Sequence, residues 1–188
     1  MARRGQVLGD VDSAALEAAH AEARERAAAY EVHRRAGRTP EEELAEVAAM
    51  SESINDAPLD DLDREDEVYS PERVRDYEVA QEAQGRRLYR VLARHRGTGE
   101  LAGHTVVAVD GARPEHAEQH DTTVVAGHRG HRLGLLLKAD MCRWLREVEP
   151  QLVHIRTWNS ASNDHMVGVN ELLGYRLLGD QLSLQRTV

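Results

Sequence analysis

The spacing of apolar positions changes midway along the chain, and the change predicts helices first and strands afterwards. Up to about residue 85 the apolar residues recur at helical spacing between charged ones, which predicts helices over 13–35, 39–51 and 70–84. Two of these begin with cap signals, Thr39-Pro40-Glu41 and Ser70-Pro71-Glu72, in which a hydroxyl group precedes a proline and an acid. The first part of the chain is therefore expected to be mainly helical, and Gln6-Val7-Leu8 is a poor candidate for a strand.

The second part has the pattern of strands separated by two helices. Residues 87–96 and 101–109 flank the turn Gly97-Thr98-Gly99-Glu100, which predicts a β-hairpin. The later pattern predicts a strand at 117–125, a helix at 133–148, a strand at 152–158, a helix at 163–173 and short final strands. We therefore expect one α+β domain over 1–188, with a mainly helical part at 1–85 and a mixed, mostly antiparallel sheet at 86–188.

Composition excludes several classes of function. The net charge of -9, from 33 acidic and 24 basic residues, argues against a nucleic-acid-binding protein. No apolar run reaches membrane-spanning length, and the single cysteine, Cys142, is expected to be a packed thiol in a reducing compartment. These features favour a cytoplasmic protein. Lys138, the only lysine, is expected on an exposed helix face.

A glycine-containing loop between a predicted strand and a predicted helix is the strongest chemical signal. After Val124 the chain continues as Val125-Ala126-Gly127-His128-Arg129-Gly130-His131-Arg132-Leu133-Gly134 and then becomes leucine-rich. Such a loop directs free backbone N–H groups at an anion, and the two arginines favour a phosphate or pyrophosphate. The residues after the second glycine lack the Lys-Ser/Thr of a P-loop, and the antiparallel context excludes a dinucleotide fold.

The segment Arg129-Gly130-His131-Arg132-Leu133-Gly134 resembles the acetyl-CoA-binding motif of the GNAT superfamily of N-acetyltransferases. Thr157-Trp158-Asn159 and the helix that closes on Gly174-Tyr175 resemble the next two motifs of that family. The residues of these motifs most resemble those in the C-terminal half of actinobacterial tandem-GNAT proteins. The resemblance implies an enzyme that uses acetyl-CoA as acyl donor to acetylate the amine of a small molecule. It also implies cofactor binding by Val124, Val125, Ala126, Arg129, Gly130, His131, Arg132, Leu133, Gly134, Asn159 and Asn163.

The strand before the loop carries the candidate catalytic bases. It offers Asp121, Glu118 and His120, of which we favour the two carboxylates. Strand alternation places Asp121 opposite the other two, unless the bulge that the resemblance implies re-aims them.

Two residues depart from the family pattern. Arg132 stands at a glycine position, which is compatible with binding if the residue is helical and its side chain points outward. Asn170 stands where the family often has a tyrosine acid, and an amide is a poor proton donor. Tyr175 is expected in the core. The alternative to the enzyme is therefore a catalytically weak GNAT-fold module that binds CoA.

Three further expectations concern metals and partners. The acidic segment 55–67 is interpreted as a solvated loop, although it could hold calcium. His128 and His131 have ligand-like spacing, with His116 or His120 as a possible third ligand, but their arginine neighbours disfavour a metal. The chain has room for only one module, so a homodimer or pairing with a second GNAT module is expected.

Overall fold

Among the residues that the structure describes, the sheet has seven strands and is mixed. The computed structural model describes residues 1–58, 65–160 and 162–181. Its strands are β1 (Ala2–Val7), β2 (Tyr30–Ala36), β3 (Arg86–His95), β4 (Leu101–Asp110), β5 (His116–Val124), β6 (His154–Asn159) and β7 (Arg176–Asp180), in the order β2-β3-β4-β5-β6-β1-β7. All neighbouring strands are antiparallel except β5 and β6, which are parallel. The predicted α+β class with a mostly antiparallel mixed sheet is confirmed.

Within these described ranges five α-helices accompany the sheet, and the fourth is buried within the core. They are α1 (Ser13–Arg26), α2 (Leu44–Ser51), α3 (Pro71–Ala83), α4 (Leu133–Val148) and α5 (Asp164–Leu172). Every residue of α4 from Leu133 to Cys142 is buried, because the sheet covers one side of the helix and α1 covers the other. A helix that is apolar on nearly all sides is expected to be buried in this way. The predicted burial of the Cys142 thiol is confirmed.

The prediction of one helix over 13–35 is wrong beyond Arg26. The chain turns at Ala27, and β2 then pairs along its whole length with β3. Tyr30 and Val32 favour a strand, and Tyr30 packs into the core. The helical spacing of the alanines therefore extends past the helix, and tertiary pairing decides the structure of residues 30–36.

The first strand, β1, includes Gln6 and Val7, which were expected to be a poor candidate for a strand. β1 is hydrogen-bonded on both sides, to β6 and to β7, so backbone pairing holds it without an alternating apolar face. Its one polar core residue, Gln6, is buried and donates a hydrogen bond to Leu173 O at the end of α5. With β1 and β2 in the sheet, the mainly helical part expected at 1–85 contributes two of the seven strands.

The two helix-cap predictions had different outcomes. The Ser70 hydroxyl accepts a hydrogen bond from Arg73 N at 3.2 Å, as expected for a cap of α3. The Thr39 hydroxyl caps nothing and instead donates to Glu78 Oε1 at 2.6 Å. The segment after Pro40 starts as a 3-10 turn over Glu41–Glu43 before α2 begins.

Candidate functional site

The glycine loop leads directly into the N-terminus of α4. Gly130 has φ of +85°, which a glycine adopts without strain, and Arg132 is the residue that precedes the helix. No side chain in the described part of the chain caps α4. The first N–H groups of this 16-residue helix are therefore available to a ligand, and the helix dipole favours an anionic one.

Arg132 has a left-handed backbone (φ 57°, ψ 22°), so the condition that this residue be helical is not met. This conformation costs a non-glycine residue roughly 1–2 kcal/mol. It explains why a glycine suits the position. The side chain points outward as expected, and its guanidinium lies 3.3 Å from Glu22.

A groove of about 800 Å³ runs along the loop and the start of α4. Arg129 lies on its wall, where its Nε donates to Val124 O at 3.1 Å and its guanidinium pairs with Asp56. We call this space the α4 groove, and its predicted cofactor-binding residues are Val124, Arg129, Gly130, Arg132, Leu133, Gly134 and Asn163. Seven of the residues expected to bind a cofactor therefore share one surface.

Three other residues that were expected to bind the cofactor lie beside the α4 groove and do not form its wall. Val125 packs against a small core cluster that includes Leu44, and Ala126 begins a 3-10 turn. The His131 ring lies 5.6 Å from the Tyr30 ring, measured between centroids.

The α4 groove ends at an open slot between β5 and β6. These parallel strands pair only from His116↔His154 to Glu118↔Arg156, and beyond that point each continues without the other. The separation begins before Thr157, so Thr157-Trp158-Asn159 continues without a ladder partner on β5. Val125 N donates to Ala102 O of β4 at 2.9 Å, so the peptide groups of Val124 face the slot.

A β-bulge on β5 places the successive side chains of His120 and Asp121 on the same side of the strand, next to the slot. The pairing of β5 with β4 changes register between Thr105↔Thr122 and Val107↔Gln119, so His120 and Asp121 together face one residue of β4. The bulge that the resemblance implied is present. Because of it, both side chains reach the same cavity although they are adjacent in sequence.

That cavity, of about 220 Å³, lies across the slot from the groove. Four carboxylates line it, and we call it the acidic cavity: Glu65, Asp66, Glu67 and Asp121. Thr122, Asn163 and Met166 line both spaces, so the groove and the cavity adjoin. Asn159, the remaining candidate for cofactor binding, is on the cavity side and accepts a hydrogen bond from Asn170 Nδ2 at 2.7 Å. The position suits a small cationic molecule.

The three candidate bases differ in their surroundings. Asp121 makes no hydrogen bond to any described residue, and burial raises the pKa of its carboxyl, with Glu67 adding to the rise. His120 is hydrogen-bonded at Nδ1 by Tyr77, and burial lowers the pKa of its ring. Glu118 does not line the acidic cavity and pairs with Arg86 at 3.2 Å. The geometry therefore favours Asp121 as the group that can accept a proton inside the cavity.

Neither Asn170 nor Tyr175 lines the acidic cavity. Asn170 is fully buried, and its Oδ1 has no hydrogen-bond partner among the described residues. Tyr175 is buried in the core as predicted, and burial raises the pKa of its hydroxyl. Neither side chain is placed to protonate a leaving group at the slot.

Sequence reasoning missed Lys138. The expectation of an exposed lysine is wrong, since Lys138 is 2% exposed and lines the acidic cavity. A signal was present in the sequence: Lys138 follows Leu-Gly-Leu-Leu-Leu, a run too apolar to leave α4 an exposed face there.

Metal ligands do not converge in the described part of the chain. His128 and His131 surround Tyr30 together with His95, and Tyr30 Oη lies 3.1 Å from His128 Nδ1. No group of three or more His, Cys, Asp or Glu side chains within 1–58, 65–160 and 162–181 could hold a metal ion. Residues 59–64 of the acidic segment lie outside the described residues. Asn55 joins the segment's two ends by hydrogen bonds to the backbone N and O of Glu67, both at 2.9 Å.

The helices in the same described ranges are all too short or too polar to cross a membrane.

No protein-family model and no curated protein matches the chain.

Several solved structures match the fold. A tandem GNAT protein from the clavulanic acid biosynthesis pathway is 26% identical with a TM-score of 0.71, and the match covers 94% of this chain and 49% of that one. This chain thus spans about half the length of that protein. A GNAT-family acetyltransferase from Streptococcus pneumoniae is 16% identical with a TM-score of 0.56, covering 75% of this chain and 82% of that one. AAC(6')-Iy in complex with a CoA-S-monomethyl-acetylneamine bisubstrate analogue is 12% identical with a TM-score of 0.52, covering 83% and 99%.

The split parallel strands, the bulge on β5 and the uncapped start of α4 are thus arranged on the same fold as these acetyltransferases. Taken with the three ordered motifs, they show that the chain belongs to the GNAT superfamily.

Proposed function

We propose that the chain is an acetyl-CoA-dependent N-acetyltransferase that acetylates a small cationic amine. The observation that carries the proposal is the junction of two unlike spaces at the β5–β6 slot. On one side lies a groove with free helix N–H groups and two arginines, and on the other lies a cavity with four carboxylates. The first suits the pyrophosphate of CoA, and the second suits an ammonium group.

Donor binding would use the backbone more than the arginine side chains. Arg129 and Arg132 already pair with Asp56 and Glu22, so a phosphate would have to compete with these carboxylates. The N–H groups at the start of α4 have no such competitor among the described side chains. Acetyl-CoA supplies the acetyl thioester, which the Val124 N–H group at the slot would orient, since Val124 O already accepts a hydrogen bond from Arg129 Nε.

Asp121 would serve as the base. An amine enters as an ammonium ion and must lose a proton before it can attack a thioester. Burial raises the pKa of Asp121, which makes this carboxylate a better proton acceptor than an exposed one. His120 and Glu118 would support the bulge, since His120 bridges Tyr77 and the Glu118 carboxylate, with Nε2 and Oε2 3.7 Å apart.

A second candidate is a CoA-binding module with little turnover. Its support is Asn170, which occupies the position of the family's tyrosine acid and points its amide at Asn159 rather than into the cavity. In either case the chain would pair with a second module or a second copy. Leu177 and Leu178 on the edge strand β7 are about half exposed, and a tandem protein is among the structural matches.

Release of CoA thiol in the presence of an amine panel distinguishes the two candidates. We expect acetyl-CoA-dependent release to be faster with di- and polyamines, such as putrescine and spermidine, than with glutamate, whose carboxylates would oppose the acidic cavity. If the release of CoA thiol is the same with and without every amine, the proposal of an enzyme is contradicted and the CoA-binding module remains.

A further inference from the structure

The amine of Lys138 is enclosed in a place where no described residue gives it an ionic partner. The residue is 2% exposed, and the hydrogen bonds and ion pairs among the described residues do not include its Nζ. Its Nζ lies over the face of the Tyr175 ring, 4.8 Å from the ring centroid. A buried ammonium normally has a charged partner, because taking it out of water costs several kcal/mol.

The same side chain reaches the reaction site that is proposed above. Lys138 lines the acidic cavity together with Asp121, Thr122 and Trp158. One helical turn earlier on α4, Gly134 and Leu135 line the groove. The face of α4 that lines the groove at Gly134 and Leu135 therefore continues to Lys138, which lines the acidic cavity.

The protonation state of this amine suits nucleophilic attack. Burial lowers the pKa of Lys138 to about 8, and the Cys142 thiol opposes the fall only in part. Roughly a tenth of the side chains would then be neutral at pH 7, far more than for a lysine in water. A desolvated lysine of this kind is an activated nucleophile.

We propose that Lys138 is itself an acetyl acceptor, so that the chain acetylates its single lysine when no amine occupies the acidic cavity. The neutral Nζ attacks the thioester carbonyl of acetyl-CoA, the new C–N bond forms and the C–S bond breaks. The sulfur leaves as a thiolate and takes up the proton that the nitrogen loses. The products are an N-acetyl-lysine and CoA thiol. Acetylation would remove a buried charge, and the bulkier side chain would extend into the cavity.

The inference rests on the proposed function, and mass spectrometry of the intact wild-type chain after incubation with acetyl-CoA tests it. We expect one acetyl group per chain, located at Lys138 by peptide mapping. Its rate should be independent of protein concentration and roughly 100-fold or more above that of the urea-unfolded chain, since the amine and the thioester are held together. Lys138→Arg should lose the modification, and Lys138→Met is the second variant should the arginine not fit.

Two controls separate the possible outcomes. The chain's other amine, the N-terminus of Met1, donates to Gln181 O at 2.9 Å, and acetylation found only there would overturn the inference. Calorimetry with acetyl-CoA and thiol release with spermidine are run on the same preparation. If the chain binds acetyl-CoA or acetylates spermidine while Lys138 stays unmodified, the inference fails and the proposed function stands. If the chain neither binds nor reacts, both fail.

Discussion

Asp121→Asn is expected to lower kcat/KM for amine acetylation by ~10²–10⁴-fold, the usual contribution of a positioned base. The amide keeps the size of the side chain at the bulge but cannot take a proton from the incoming ammonium. Steady-state thiol release with the best amine of the panel measures the change. The control is Glu118→Gln on the same strand, whose carboxylate pairs with Arg86 outside the cavity. This control substitution should lower kcat/KM by less than about tenfold.

The same variant should melt at a higher temperature than the wild type near pH 7. Burial raises the folded-state pKa of Asp121, so folding disfavours its ionised form, and the amide avoids that cost. The sign follows from linkage: at pH values below the unfolded-state pKa both states are protonated, and the advantage of the variant disappears. A loss of activity accompanied by a lower melting temperature would indicate a structural role for Asp121 rather than a base.

Glu78→Ala is expected to destabilise the chain by ~3–5 kcal/mol, because it leaves a buried arginine without its counter-charge. Glu78 on α3 is fully buried and accepts hydrogen bonds from Thr39, Arg75 and Arg90. Arg90 on β3 is itself buried, and burial lowers the pKa of its guanidinium. This network joins α3 to the sheet behind the acidic cavity. Urea denaturation of the variant and the wild type measures the free energy of unfolding.

Glu82→Ala on the same helix is the matched control. Its carboxylate pairs with Arg38 on the surface, where solvent screens an ion pair and it contributes little to stability. The account of the network is wrong if the two alanine variants lose similar stability.

Local signals in the sequence predicted the parts of the fold that local chemistry decides. The Ser70 cap, the hairpin around Gly97-Thr98-Gly99-Glu100, and α4 after the glycine loop lie where the pattern placed them. The glycine-loop motif also indicated the groove, because a glycine loop and the helix start that follows it are specified by consecutive residues.

Features that depend on distant pairing were not predictable in this way. β1 is stabilised by strands more than 140 residues away in sequence, and β2 by its pairing with β3. Thr39 has a cap-like sequence, yet the buried Glu78 competes successfully for its hydroxyl. Lys138 was expected on an exposed face from its place on a helix alone, whereas the depth of α4 in the core buries it beside the acidic cavity.

Isothermal titration of the chain with acetyl-CoA tests the central claim, that the α4 groove binds this donor. We expect one-to-one binding with Kd below about 1 mM, in the range of enzyme substrates. Gly134→Glu should abolish it by placing a carboxylate where the phosphates bind. Gly127→Glu should not, since Gly127 lies outside the groove, and a Cβ at either glycine meets no atom within 4 Å. Absence of binding at millimolar acetyl-CoA, or equal binding by the two variants, would contradict the account.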